Sequence, residues 1–290
     1  MKRVLVILPG GTTLGAYHVP HIEALVAAEA AGEFTIVAWV GGSVGTVNGM
    51  MAASGRAAEL RPIWHDVGQT GTRWFQRLNT AGGFIPTPWK GVFTLDPLRA
   101  KLRSFRVGRG GYAVPMFAGL VSARSKQYVS VNLKEASLQD ADDAAVCSCQ
   151  QPGIHKPERY RGRFFWDAGV RNVIPAIPAE APAFDEVVVI CPSPIEEEHR
   201  FAQHEEHEVA DGFEQAQAAI QTMMGEVVLG DIQARIAEAR ARGARRIVFF
   251  APKTWADVGK PFVATPETVA LRFASAEADV AAGPRFALDL

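Results

Sequence analysis

The apolar tetrapeptide Val37-Ala38-Trp39-Val40 runs directly into Gly41-Gly42-Ser43-Val44-Gly45, and from there into a helix-forming stretch from Thr46 to Ala53. This G-x-S-x-G pattern sits where a strand must turn sharply into a helix. A serine on such a turn stands clear of the sheet, and the glycines on either side keep Cβ atoms out of the elbow. The five-residue pattern alone recurs by chance in roughly one chain in ten. The flanking strand and helix therefore carry the reading, and Ser43 is the candidate nucleophile.

The rest of the chain alternates strands and helices around that point. Arg3 to Leu8 is a continuous apolar run, as expected of a buried strand in a parallel sheet. A glycine-rich turn, Pro9 to Gly15, leads into a helix with Val19, Ile22, Leu25 and Val26 on its apolar side, and Pro20 marks its first turn or a kink. A second strand is expected over Phe34 to Val40. Further strands are expected over Met116 to Val121, Tyr128 to Val131, Glu186 to Cys191 and Arg246 to Ala251. A long helix from about Val209 to Arg242 precedes the last of these, with Gly225 and Gly230 as points where it can bend or break. Interleaved strands and helices predict an α/β sandwich with a mostly parallel sheet. No internal repeat or low-complexity linker divides the 290 residues, so one domain over 1–290 is expected.

Composition narrows the function. The chain is 48% hydrophobic and 21% charged, with a net charge of −1, which gives no basis for binding nucleic acid or for broad attraction to anionic membranes. Three cysteines supply no disulfide framework and fit a reducing compartment. The apolar stretch after Met1-Lys2-Arg3 is too short for a signal peptide, and no run approaches a membrane span, so a cytoplasmic location is expected. Residues 66 to 115 differ from the rest. They are rich in Gly, Pro and aromatics (Trp74, Phe75, Phe84, Trp89, Phe93), with Ile85 among them, and read as a loop region. Its aromatics either plug onto the core or form an apolar cap beside the serine.

A serine nucleophile needs a base and an oxyanion hole. Gly10-Gly11-Thr12-Thr13-Leu14-Gly15 offers backbone N–H groups at a helix start, and the Val44 N–H, just after the serine, is a further donor. The same turn lacks both G-x-G-x-x-G and the Lys-Ser/Thr of a phosphate-binding loop, which weighs against a nucleotide site. Seven histidines are available as bases: His18, His21, His65, His155, His199, His204 and His207. The last three lie in a Glu-rich polar run without H-E-x-x-H spacing, and Cys147-x-Cys149 is too sparse for a metal. No metal or cofactor is expected. Asp167, in Phe164-Phe165-Trp166-Asp167-Ala168-Gly169, leaves an aromatic strand on a small-residue turn. That would present a carboxylate in a partly desolvated cleft, although an Asp before Ala-Gly is more often a plain turn residue.

A resemblance decides between these readings. Pro9-Gly10-Gly11-Thr12-Thr13-Leu14-Gly15-Ala16-Tyr17 and the following Ile22-Glu23-Ala24-Leu25 resemble the oxyanion block of the patatin-like phospholipase family. Gly41 to Gly55, with Asn48 and its small residues, is similar to that family's nucleophile block. Phe93-Thr94-Leu95-Asp96-Pro97-Leu98 is similar to its substrate-side segment. Ala145 to His155 resembles the approach to the acidic motif, Trp166 to Pro175 the motif itself, and Val187 to Pro194 the strand and turn beyond it. The blocks fall in family order and span nearly the whole chain.

The resemblance implies a three-layer α/β sandwich and a lipid acyl hydrolase with a Ser–Asp dyad and no catalytic histidine. In it Ser43 attacks an acyl ester, Asp167 takes the proton, and the N–H groups of Gly10, Gly11 and Thr12 hold the oxyanion. The implied partner is a lipid or other acyl-ester substrate; read from the residues alone, no polybasic stretch or amphipathic anchor is clear, although the aromatic loop between Trp74 and Phe93 could touch a lipid surface. Three positions depart from the family pattern. Thr12 replaces a glycine and is expected to be tolerable only at negative φ. Leu14 replaces a basic residue and removes a positive charge near the oxyanion. Ala168 replaces a glycine and is expected to shift the carboxylate. The alternatives are a Ser–His–Asp esterase of the α/β-hydrolase type, a non-catalytic lipid or acyl binder, and a nucleotide-binding module on Gly10 to Gly15.

Overall fold

The first apolar run forms β1 (Arg3–Leu8), the centre of a nine-stranded sheet. The computed structural model describes residues 1–81, 85–86, 91–105, 111–195 and 212–290. Val4, Val6 and Leu8 of β1 enter one core and Leu5 and Ile7 the other. Both faces of the strand are covered, which is why it reads as an unbroken apolar run.

The remaining strands are β2 (Thr35–Gly42), β3 (Met116–Ser122), β4 (Tyr128–Asn132), β5 (Glu158–Tyr160), β6 (Arg163–Asp167), β7 (Glu186–Ile190), β8 (Arg246–Phe250) and β9 (Phe286–Asp289). Their order is β9-β8-β7-β1-β2-β3-β6-β5, with β4 also paired to β3. The central strands β8, β7, β1, β2 and β3 run parallel, and the others pair antiparallel. All five strands expected outside the elbow are present. β2 runs two residues further than predicted, because Gly41 and Gly42 continue its ladder opposite Ala118 and Gly119.

One face of the sheet carries α1 (His18–Ala30), α2 (Val44–Ala53), α3 (Leu60–Thr70), α4 (Asp96–Phe105), α5 (Leu138–Ser148) and α7 (Pro266–Ala282). The other face carries α6 (Gly212–Ala241) and the irregular segment from Val173 to Phe184. The result is the three-layer α/β sandwich expected. Pro20 stands in the first turn of α1, where its missing N–H costs little. α6 passes through Gly225 and Gly230 without a break.

Two features depart from the sequence reading. The stretch 66–115 is more regular than its composition predicts: α4 and two short antiparallel ribbons, Arg77–Leu78 with Phe93–Thr94 and Thr80–Ala81 with Ile85–Pro86, lie within it. The sequence reading also assigns no helix to 266–282. Its start is nonetheless marked by a reciprocal cap, in which Thr265 Oγ1 accepts from the Thr268 N–H at 3.2 Å and Thr268 Oγ1 accepts from the Thr265 N–H at 2.9 Å. Among the described residues, no helix is long and apolar enough to cross a membrane.

Candidate active site

β3 brings Ser43 and Asp167 together. β4 occupies one edge of β3, and the other edge is shared end to end by β2 and β6. The parallel β2 ends with Gly42 opposite Gly119, and the antiparallel β6 ends with Asp167 opposite Leu120. Two strands running toward each other thus deliver the elbow serine and the acid to neighbouring positions.

Ser43 adopts φ 52° and ψ −130°, a conformation unfavourable for a residue with a Cβ. Two hydrogen bonds hold it there. The Ser43 N–H donates to Ser148 Oγ at 3.0 Å and the Thr46 N–H donates to the Ser43 carbonyl at 2.9 Å. Ser148, fully buried at the end of α5, in turn donates to the Gly119 carbonyl at 2.8 Å and lies 2.9 Å from Thr46 Oγ1. The flanking glycines are required by space: a Cβ on Gly41 would lie 2.5 Å from the Thr46 backbone, and one on Gly45 would lie 2.0 Å from the Leu8 carbonyl oxygen.

Asp167 is buried. Its Oδ1 accepts the Gly169 N–H at 2.7 Å, while its buried Oδ2 has no hydrogen-bond partner among the described residues. Burial pushes its pKa up to about 6, against the opposing pull of the Ser43 hydroxyl beside it and the Gly169 N–H. The backbone after Asp167 is clasped by α6. Asn172 Nδ2 and the Ile174 N–H donate to Asp231 at 2.9 and 3.0 Å, Arg235 donates to the Ile174 carbonyl at 3.0 Å, and the Ile177 N–H donates to Glu238 at 2.9 Å. The methyl of Ala168 packs where Gly42 and Gly119 leave room for it.

The glycine turn presses on the serine, since a Cβ on Gly10 would lie 2.9 Å from Ser43 Cβ. Thr12 corrects the sequence reading: its φ is +50°, not negative. The strain is met by side-chain anchoring. The Thr12 hydroxyl sits between the carbonyls of Gly11, at 2.7 Å, and Pro261. Thr13 Oγ1 lies 2.6 Å from the Pro261 carbonyl and 3.0 Å from that of Val263. Among the described residues, no acceptor takes the N–H of Gly11 or Thr12.

An apolar pocket opens from Ser43. Its wall comes from α2 (Val44, Val47, Met51), α3 (Leu60, Ile63, Trp64, Val67), the turn at Trp74 and Phe75, and Leu95, Leu98 and Leu102 around α4, closed by Phe262. Trp74 and Phe75 therefore both bury and line the cavity; Phe84 and Trp89 lie outside the described residues. Asn48 ties the wall together, donating to the Gly15 carbonyl at 2.8 Å and accepting from Trp64 Nε1 at 3.1 Å.

The described histidines are poorly suited to serve as the base. His155 reaches the cavity, but its Nδ1 accepts the Gln151 N–H at 3.1 Å, which leaves Nε2 to donate to Gln76 Oε1 at 2.8 Å. Both ring nitrogens are engaged, and burial lowers its pKa to about 4. Burial likewise holds His18 and His21 at about 3, and His65 packs edge-on against Phe273. His199, His204 and His207 lie outside the described residues. Burial, and then the Asp167 charge, raise the Cys149 thiol well above its ordinary range, so it stays protonated beside Ser43. Among the described residues, no group of three or more His, Cys, Asp or Glu is placed to hold a metal ion. The sequence reading misses Ser148, which carries no local signal at the end of an alanine-rich helix.

The sheet covered on both faces by helices, with a strained serine between strand and helix beside a buried carboxylate and an apolar pocket, places the chain in the class of three-layer α/β proteins. Within that class the chain belongs to the patatin-like phospholipase family, whose sequence model matches residues 6–180. That family generally consists of lipid acyl hydrolases, which act on lipid ester substrates. The solved structure of VipD from Legionella pneumophila superimposes with a TM-score of 0.49 at 10% identity, covering 99% of this chain and 68% of that one. No curated protein matches the sequence.

Proposed function

We propose that the chain hydrolyses acyl esters, probe esters and lipid-derived esters alike, through Ser43 and Asp167 and a covalent acyl-enzyme. The observation that carries this reading is the buried Asp167 carboxyl beside the Ser43 hydroxyl, with an Oδ2 that has no hydrogen-bond partner among the described residues, while His155 has both ring nitrogens occupied. Ser43 Oγ attacks the ester carbonyl as its proton passes to Asp167. The carbonyl oxygen takes up the negative charge among the N–H groups of Gly10, Gly11, Thr12 and Val44. Collapse expels the alcohol, which leaves with the proton from Asp167. Water then attacks the acyl-enzyme with Asp167 again as base, and the acid is released. The cavity wall would hold the acyl chain.

A fluorophosphonate probe tests the reading together with hydrolysis of a short-chain p-nitrophenyl ester. Wild type should label and turn over, Ser43→Ala should do neither, and variants of each histidine should keep both within about tenfold. A wild type that never labels would point to a binder without catalysis. Loss with a single histidine, and not with Asp167, would replace the dyad with a triad. Ser148→Ala should lower kcat by roughly 10–100-fold, because the elbow loses its bracket. It should also cost about 1–3 kcal/mol in a chemical denaturation curve, because a buried N–H is left unpaired. An unchanged kcat would mean that the elbow holds its shape without that hydroxyl.

A further inference from the structure

The loop that faces Ser43 is backed by a buried cation from the far end of the chain. The Thr13 carbonyl accepts from Arg272 Nη1 at 3.0 Å, across 259 residues of sequence. Arg272 is fully buried in α7. Its other bonds also go to backbone carbonyls: Nε to Val258 at 2.9 Å, and Nη2 to Lys260 at 3.0 Å and Val263 at 2.9 Å. Among the described residues no carboxylate pairs with it, so its charge is met only by neutral dipoles. Burial lowers its pKa to about 10, which leaves it charged at neutral pH.

The geometry of the loop gives that charge a direction. All peptide bonds described are trans, so the C=O and N–H of each unit point opposite ways. The unit whose carbonyl meets Arg272 carries its N–H on Leu14, and that N–H donates to the Gly11 carbonyl at 2.9 Å. The unit containing the Gly11 carbonyl carries its N–H on Thr12, which lines the cavity beside Ser43 and has no acceptor among the described residues. Two peptide dipoles thus stand in series leading away from Arg272, the second ending on the N–H of Thr12, a residue that lines the pocket with Ser43. Hydrogen bonds in such a chain polarise one another.

We propose that Arg272 is a positioning residue of the oxyanion loop, its charge relayed through the Thr13–Leu14 and Gly11–Thr12 peptides to the Thr12 N–H. The proposal rests on the hydrolase reading above and deepens it. It gives the loop, from α7, the positive potential that Leu14 does not bring. A purely structural clamp on residues 258–263 would explain the stability contribution of Arg272 but no selective effect on a negatively charged adduct.

The test compares wild type with Arg272→Gln, Arg272→Lys and a semisynthetic chain in which the Leu14 amide is an ester, which deletes the middle N–H while Arg272 stays. Each is assayed for kcat and KM on a short-chain p-nitrophenyl ester. Each is also titrated with an alkyl trifluoromethyl ketone and with an alkanol of the same length. Ser43 Oγ bonds to the ketone carbon, its proton passes to Asp167, and the carbonyl π pair becomes the oxyanion; the alkanol stays neutral. Arg272→Gln should lower kcat and ketone affinity by the same factor of roughly 10–30, with KM and alkanol affinity within about twofold. Arg272→Lys should recover most of that loss, and the Leu14 ester should reproduce much of it. If Arg272→Gln does not fold, the Lys variant and the ester decide. Equal weakening of ketone and alkanol, or an ester variant indistinguishable from wild type, would overturn the relay while leaving the hydrolase intact. A wild type without turnover or ketone adduct would sink both readings.

Discussion

Asp167→Asn should lower kcat by roughly three to four orders of magnitude while raising the melting temperature at neutral pH. The loss follows from removing the base next to Ser43. The stabilisation follows from linkage. In the folded chain, burial holds the Asp167 pKa at about 6, against an ordinary value of 3.8. Between those values the folded state keeps a proton that the unfolded state has released, so stability falls as pH rises through this window. The penalty is fully present above about pH 6 and absent below about pH 4, and it amounts to roughly 2–3 kcal/mol. Asparagine carries no such penalty, and its side-chain oxygen can still accept the Gly169 N–H. Melting curves from pH 4 to 8 should therefore converge at the acid end and separate by several degrees at the other. The wild-type pH–rate profile should rise through about pH 6 as the carboxylate ionises. A flat profile across that range, or a variant that melts lower at pH 8, would contradict the assigned role.

Gly45→Ala is expected to be among the most damaging single changes in the chain. Its new methyl would meet the Leu8 carbonyl oxygen at 2.0 Å and the Pro9 carbonyl oxygen at 2.7 Å. Both are backbone atoms, and Leu8 is at the fully buried end of β1. Relief requires α2 to move off the strand that carries the glycine turn, which separates Ser43 from Gly10, Gly11 and Thr12. A cost above about 4 kcal/mol is expected in denaturation, with residual turnover down by more than about a hundredfold in whatever folds. Gly230→Ala is the matching control. That glycine lies inside α6, and a methyl added to it would have no atom within 4 Å, so alanine should stabilise by roughly 0.5–1 kcal/mol. Equal stability of the two variants would show that the elbow has slack where none is seen.

These residues differ in how far the sequence discloses them. Ser43 is legible because strand, glycines and helix are contiguous, so local rules suffice. Asp167 is not legible from its own surroundings, since its place depends on the register of β6 on β3, a long-range fact that periodicity does not carry. Its aromatic strand and small-residue turn make it no more than a candidate, and the ordered set of family blocks is what favours it. Thr12 defeats the local rule because residue preference alone favours negative φ for a threonine. Two carbonyls, from the loop at Pro261 and from Gly11, outweigh that preference. Ser148 and Arg272 leave no sequence signal, since a hydroxyl or guanidinium becomes informative only once tertiary packing buries it. The helix 266–282 is within reach of local rules, because Thr265-Pro266 is a recognisable start.

The aliphatic and aromatic wall of the cavity has a further consequence for how such a protein can change. Apart from Phe262, it is drawn from one contiguous stretch, Val44 to Leu102. Beyond Val44, Gly45 and Thr46 at the start of that stretch, the groups assigned to chemistry and their supports lie elsewhere, at residues 10–14, 41–43, 119, 148, 167–169, 231, 235, 238 and 272. On the proposed reading, substrate range and reaction chemistry are therefore inherited on largely separate pieces of chain. Exchange of the part of that stretch beyond Thr46 between relatives offers a route to new acyl preferences in which the bond-breaking apparatus is carried over unaltered.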